Sequence, residues 1–389
     1  MRFSNTVQRL EGSGYKSWDV HMRARQMKAE GADVLMLTIG DPDFETPPSI
    51  VNAAFESIRS GRTHYTRAEG EPELRAAIAA HHAQTGGQPI TAANVAVVPG
   101  AQCGLYTAAM TVLQPGDEVI IPEPVYSTYE PVVGATGATP VFVNLSPASG
   151  FHLDPDALAA AVTPRTRAIL VNTPHNPTGA MLGPDEVEAL ADICLRHDLW
   201  LITDEVYSHF AYDRPHLSPA NLPELADRAV VISSLSKSHA MTGWRLGWVI
   251  GPEPFIAHVG RLLACMLFGA PPFIQDAALY ALSHEVAEAE AMRQQYGARR
   301  ALVCQTLTDA GPITCRAPEG GIYVLLDVRQ TGMSGYEFGH LLLDKTGVAL
   351  LPGQAFGSTL SGFLRISLTA PDADIQEACR RIHEFGSSL

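Results

Sequence analysis

The chain has 389 residues, 46% hydrophobic and 17% charged, with 33 Gly and 28 Pro, a make-up that excludes disordered and fibrous classes and suits one large globular domain plus a smaller one. Its 41 acidic residues against 27 basic ones leave a net charge of −14 with no basic run, which argues against nucleic acid as a partner. No apolar stretch approaches the ~18 residues of a membrane span, and the first ten residues hold no apolar leader core, so no membrane association and a cytoplasmic location are expected.

In chain order, the first 45 residues are punctuated by Gly and Pro around Gly40-Asp-Pro-Asp-Phe and read as an N-terminal arm with part of a small domain. His81-His82 stand together without HExxH-like spacing, which reads as decoration of a helix surface and gives no metal site. Short runs rich in Val and Ile then recur at Val95–Val98, Glu118–Ile121, Thr139–Leu145, Ala168–Val171, Leu199–Thr203, Val230–Ser233 and Leu246–Ile250. Helical stretches such as Asp154–Val162 and Pro184–His197 separate several of them, which predicts an α/β block with a mainly parallel sheet over residues 46–285. Longer helical patterns follow, including Ser283–Asp309, with strand-like segments at Gly321–Asp327 and Phe363–Ser367, so residues 286–389 read as a smaller α+β domain. The six cysteines, at 103, 194, 265, 304, 315 and 379, form no CxxC pair and are expected as reduced thiols.

Ligands of open α/β sheets bind beyond the carboxyl ends of strands, so the polar residues there carry the argument. After Val95–Val98 comes Pro99-Gly100-Ala101-Gln102 leading into a helix, where free backbone N–H groups and the helix dipole favour an anion. Glu123-Pro-Val-Tyr126 follows the next strand, and Asn176-Pro-Thr-Gly forms a rigid turn after another. Asp204-Glu-Val-Tyr207 places a carboxylate at a strand end, read either as a helix cap or as a buried anion. Ser234-Leu-Ser-Lys237-Ser-His-Ala-Met-Thr-Gly-Trp-Arg245-Leu-Gly-Trp sets one lysine between hydroxyls and ahead of an arginine. Those groups suit an aldehyde cofactor that carries a phosphate: an amine for a Schiff base and donors for the anion. Arg365 lies inside the apolar strand Phe363–Ser367, where its charge needs either a structural acid or an anionic ligand.

The lysine segment and Asn176-Pro-Thr-Gly resemble those of pyridoxal-phosphate (PLP) dependent class I/II aminotransferases, and the resemblance runs from Gly40 through Arg365. It implies fold type I: a large domain with a mainly parallel seven-stranded sheet and a smaller α+β domain. It also implies roles for matching residues. Lys237 would bond the cofactor aldehyde and shuttle the proton, Asp204 would hold the ring nitrogen, and Tyr207 and Asn176 would bind the ring oxygen. Tyr126 would stack on the ring, while Ala101, Gln102, Ser234 and Arg245 would hold the phosphate. Arg365 and Gly40, with Asn176, would bind the substrate carboxylate. Tyr65 would reach the phosphate of a neighbouring subunit, which implies a homodimer with shared sites. The amino acid and a 2-oxo acid would react in ping-pong order.

Some aspartate-using relatives carry a lysine where this chain has Gln102, and residues 266–275 contain no arginine to replace it, so a dicarboxylate donor is not expected. Gly100-Ala-Gln-Cys, Cys265-Met-Leu-Phe-Gly and Phe273-Ile-Gln-Asp-Ala-Ala are similar to family members that pair a basic donor with pyruvate. Glu11, Asp19 and Glu69 are the acids considered for such a donor's side chain. The alternatives are an aspartate or aromatic aminotransferase and a PLP-dependent carbon–sulfur lyase. A ligand-sensing regulator lacks a basic helix-turn-helix segment ahead of the domain.

Overall fold

The computed structural model describes residues 3–10, 18–85, 87–308 and 310–389. Seven strands form the large sheet: β2 (Val95–Val98), β3 (Glu118–Glu123), β4 (Thr139–Asn144), β5 (Thr166–Asn172), β6 (Trp200–Asp204), β7 (Ala229–Ser234) and β8 (Gly247–Ile250), with β1 (Leu35–Met36) lying elsewhere. Their order is β2-β8-β7-β6-β5-β3-β4, and β8 alone runs against its neighbours β2 and β7. The mainly parallel seven-stranded sheet expected from the sequence is therefore present, with strand ends within one or two residues of those expected.

The middles of these strands are largely apolar because both sheet faces are covered, with edge strand β4 the most exposed. Val95 and Val97 join Ile50, Leu74, Ile78 and Ala277 in one cluster, while Ala96 and Val98 join Leu105, Ala108, Val259 and Leu263 in another. Pairing aligns Asn172 with Asp204 and Asp204 with Ile232, so the carboxyl ends of β5, β6 and β7 open side by side. The helix Pro184–His197 that connects β5 to β6 starts at a proline in its first turn, takes Glu186 Oε2 onto Gly183 N at 2.7 Å, and stops at Asp198 with a left-handed φ of 53°.

A second, four-stranded antiparallel sheet has the order β12-β13-β10-β9, from β9 (Thr314–Cys315), β10 (Tyr323–Asp327), β12 (Leu351–Pro352) and β13 (Phe363–Ser367). The short β1 pairs in parallel with β11 (Val348–Ala349), and Val20, Ala24 and Val34 pack with Leu343 and Ala349, so residues from 18 onward are fastened to this C-terminal unit. The helix expected over Ser283–Asp309 is present but starts four residues later, and Ser283 belongs to the end of the preceding helix. Pro272–Ser283 ends where His284 turns extended (φ −129°, ψ 153°), and a new helix runs Ala287–Thr306. The expected end at Asp309 lies outside the described residues.

His81-His82 are also placed differently from the surface reading. His82 shares the inward face of helix Pro72–Gln84 with Leu74 and Ile78 and is buried, and His81 packs edge-on to Trp248 with ring centroids 6.5 Å apart. The spacing of four between Leu74, Ile78 and His82 is the signal that places it inside.

Arg299 clasps the N-terminal segment to the C-terminal helix. Its guanidinium donates to Asp43 Oδ1 and Oδ2 at 2.7 and 2.9 Å, to Asp372 Oδ1 at 2.7 Å and to the Leu368 carbonyl at 2.9 Å, while lying against the rings of Phe44 and Tyr296. Removing one partner of a buried ion pair strands the others, so Arg299→Met should lower stability by about 3 kcal/mol in urea titration.

Candidate active site

A cleft of about 260 Å3 opens at the carboxyl ends of β5, β6 and β7, with a far wall from the C-terminal unit. Gly40, Ala101, Gln102, Tyr126, Asn176, Asp204, Tyr207, Ser234, Lys237, Arg245 and Arg365 all line it. Of the residues singled out from sequence as site residues, Tyr65 alone stands apart. It is 90% exposed, with its ring 5.8 Å from that of Phe268.

Asp204 closes the inner end. Its Oδ2 accepts from Tyr129 Oη at 2.7 Å and its Oδ1 from Val206 N at 3.3 Å. Burial pushes its carboxyl up to about 6, against the opposing pull of those hydrogen bonds. Glu205 turns to the opposite side of the strand, accepts from Thr203 Oγ1 at 2.9 Å, and is raised by burial to about 7. Tyr129 did not emerge from the sequence because a helix-starting tyrosine three residues after Tyr126 gives no hint of its partner across the sheet.

Lys237 follows the end of β7, and its Nζ donates to the Gly40 carbonyl at 2.6 Å. Beside it, Ser234 ends β7 and Arg245 sits at a left-handed φ of 55°, with Nη1 donating to the Thr242 carbonyl at 2.8 Å. The Arg245 guanidinium lies over Gly100, whose φ is +80°; a β-carbon there would stand 2.5 Å from Nη2. Helix Ala101–Val112 starts at that glycine, so its first free N–H groups, the Ser234 hydroxyl and a guanidinium border one small volume. Gln102 is turned aside, its Oε1 accepting from Thr128 Oγ1 at 2.9 Å.

Arg365 is 3% exposed. Its Nη1 donates to Asn176 Oδ1 at 2.9 Å and its Nη2 to the Thr38 carbonyl at 2.7 Å, while Nε is buried without a partner. The guanidinium carbon stands 3.9 Å from the Tyr323 ring centroid and 4.8 Å from that of Phe356. Among the described residues no carboxylate pairs with it, so of the two readings for this arginine the structural acid is absent. Three successive carbonyls of the N-terminal segment serve the cleft wall: Thr38 to Arg365, Ile39 to Thr369 Oγ1 at 2.8 Å, and Gly40 to Lys237.

The acids considered for a basic side chain lie elsewhere. Asp19 accepts from Tyr336 Oη and lies 3.4 Å from His340 Nε2, and Glu69 packs beside Gly260. Neither lines the cleft, and Glu11 lies outside the described residues.

The family model of aminotransferase class I and II matches residues 32–382. Over 382 residues the chain is 48% identical to an arginine–pyruvate transaminase of Pseudomonas aeruginosa, covering 98% of this chain and 97% of that one. It is 38% identical to an aspartate/prephenate aminotransferase of Cereibacter sphaeroides, covering 99% of each. The solved aspartate aminotransferase of Thermus thermophilus with maleate superposes with a TM-score of 0.93 at 32% identity, covering 99% of this chain and 100% of that one. The chain therefore belongs to the class I and II aminotransferases. It is a PLP-dependent enzyme of fold type I that moves an amino group between amino acids and 2-oxo acids.

Asp204 and Glu205 have folded pKa values above their unfolded ones, so each stabilises the fold in its protonated form. That contribution is complete below the unfolded values and is lost as pH rises through about 6 and about 7. For the cofactor-free protein, Asp204→Asn should raise the melting temperature more at pH 8 than at pH 5, the full gain being roughly 3 kcal/mol.

Proposed function

We propose that this enzyme takes the amino group from arginine or another basic amino acid and passes it to pyruvate in ping-pong order, with Lys237, Asp204 and Tyr207 as its catalytic residues. The observation that carries the site assignment is Arg365, a buried guanidinium with only neutral oxygens and ring faces around it. Such a group is prepared for an anion that arrives with the substrate, and a guanidinium fork grips a carboxylate with two parallel bonds.

The donor set fits PLP. When bound, the cofactor supplies an aldehyde that condenses with amines and a cationic ring that withdraws electrons from the adjacent carbon. Asp204, buried at the inner end of the cleft, would hold the proton at the ring nitrogen. Tyr207 Oη and Asn176 Nδ2 would hold the ring oxygen, and the Arg365 bond to Asn176 Oδ1 fixes which way that amide faces. Tyr126, which lines the same cleft, would cover one ring face. The N–H groups of Ala101 and Gln102, the Ser234 hydroxyl and the Arg245 guanidinium would hold the phosphate. Lys237 would hold the cofactor through its Nζ amine, and that amine, once freed, would take the proton from the substrate Cα and deliver it to the cofactor carbon beside it. Gly40 closes over the substrate carboxylate that Arg365 receives.

Two observations support a basic donor. The relative that is 48% identical is an arginine–pyruvate transaminase. The cations of this chain lining the cleft among the described residues are Lys237, Arg245 and Arg365, each already engaged in the scheme, so this chain offers none for the second carboxylate of aspartate. A homodimer with shared sites is supported by Tyr65, exposed beside Phe268, and by the exposed Phe55 and Ile58 bordering an apolar groove with Val51 and Trp244. The six free cysteines are in keeping with a reducing cytoplasm.

Single-turnover absorbance of the PLP-loaded enzyme, with one amino acid offered at a time, tests the donor. Conversion with arginine and hardly any with aspartate or phenylalanine is expected; the reverse order would discard the basic donor and keep the aminotransferase. Pyruvate and ammonia released from a cysteine conjugate without an oxo acid would mark a carbon–sulfur lyase. Lys237→Ala should lose both the visible cofactor band and amino transfer. Arg365→Gln should raise the KM for the amino acid at least 30-fold, about 2 kcal/mol of lost carboxylate binding.

A further inference from the structure

Tyr323 lies in β10 of the C-terminal unit, within the apolar run Gly321–Asp327, and nothing in its surroundings in the sequence marks it out. It is buried, yet it touches three of the groups assigned roles above. Its hydroxyl is 3.1 Å from the Tyr207 hydroxyl, and the two rings meet edge to face with centroids 5.8 Å apart. Its own ring carries the Arg365 guanidinium at 3.9 Å. Strand register explains that contact: Arg365 pairs with Leu325, and Tyr323, two residues earlier on the same face, is its diagonal neighbour. On the third side lies Gly40, where a β-carbon would stand 1.8 Å from the Tyr323 hydroxyl; the carbonyl of that same glycine receives Lys237 Nζ.

We infer that Tyr323 is a positioning residue for amino transfer, acting through Tyr207 with its hydroxyl and through Arg365 with its ring face. The hydroxyl fixes where the Tyr207 hydroxyl points, and a phenol that swings freely would lose its bond to the cofactor's ring oxygen. The ring supports the guanidinium from one side as Phe356 does from another at 4.8 Å, holding its plane where the carboxylate arrives. One side chain thereby links the end of the site that holds the cofactor to the end that holds the substrate. The titratable and charged groups facing the tyrosine pair are Tyr126, Arg365, Asp204, Tyr129 and Lys237. Of these, Arg365 is the one a substrate carboxylate neutralises.

The inference rests on the cofactor reading, and the two can fail separately. Wild type, Tyr323→Phe and Tyr323→Leu are loaded with PLP and checked for folding by circular dichroism. The pH midpoint of the visible absorbance and the amino-acid concentration giving half-maximal single-turnover conversion are then measured. Tyr323→Phe keeps the ring and removes the hydroxyl, so the midpoint should move by roughly half to one pH unit while half-saturation stays within about threefold. Tyr323→Leu removes both, and half-saturation should also rise about tenfold. Should the leucine variant fail to fold, the phenylalanine variant alone decides, through the split between its two readouts. An unmoved midpoint in Tyr323→Phe, or a lower rate with midpoint and half-saturation both unchanged, would overturn the role. Lys237→Ala separates the premise: if it keeps the visible band, the cofactor reading fails. If it loses the band while Tyr323→Phe shows no shift, the Tyr323 role alone fails.

Discussion

Burying the guanidinium of Arg365 without a carboxylate is the constraint around which the cleft is arranged. A charge removed from water needs compensation, and an acid placed beside it would supply that while blocking the site to any incoming anion. The fold instead surrounds the cation with weaker, neutral partners: an amide oxygen from Asn176, a backbone carbonyl from Thr38, and the faces of Tyr323 and Phe356. Those partners come from four separate stretches of chain. The turn after β5, the segment after β1, strand β10 and the loop after β12 must all be in place before the guanidinium is supported. Assembly of the two units and readiness for substrate are thus the same event.

Asp204 shows the same logic with opposite charge. Parallel pairing of β5, β6 and β7 brings three strand ends together, and the middle one carries a carboxyl that burial pushes to about 6. Tyr129 and the Val206 N–H offset only part of the desolvation. A buried carboxylate with no cation above it costs stability, and on the proposed cofactor reading a protonated ring nitrogen bound there would return that stability to the loaded protein.

Much of this was legible in the sequence, because the sheet strands are continuous apolar runs and the polar residues that follow them fall where an open α/β sheet binds ligands. The lysine segment and Asn176-Pro-Thr-Gly carried their meaning in local spacing. Tyr129 and Tyr323 did not, since their partners Asp204, Tyr207 and Arg365 lie 75, 116 and 42 positions away and are brought near only by strand order and register. His82 was misread for a different reason: adjacency to His81 masked a spacing of four from Ile78 that puts it on the inward face. The break at His284 had no Gly or Pro to announce it, so Ser283, the last residue of one helix, read as the start of the next.

Charge distribution joins these points. The chain as a whole carries −14, yet the cleft gathers Lys237, Arg245 and Arg365 around one buried acid. A net negative charge disfavours indiscriminate capture of anions, whereas a local excess of cations in a partly enclosed cleft concentrates the field on ligands small enough to enter. Arg245 with the helix start and Arg365 with Asn176 lie at two places in that cleft, and the ligand they jointly favour has one anionic group for each. A phosphorylated cofactor with an amino acid's carboxylate meets that demand. A dicarboxylate would bring one negative charge more than the cations that line the cleft can receive, which is why the placement of three cations, and the turning aside of Gln102, bears on donor choice as well as on cofactor binding.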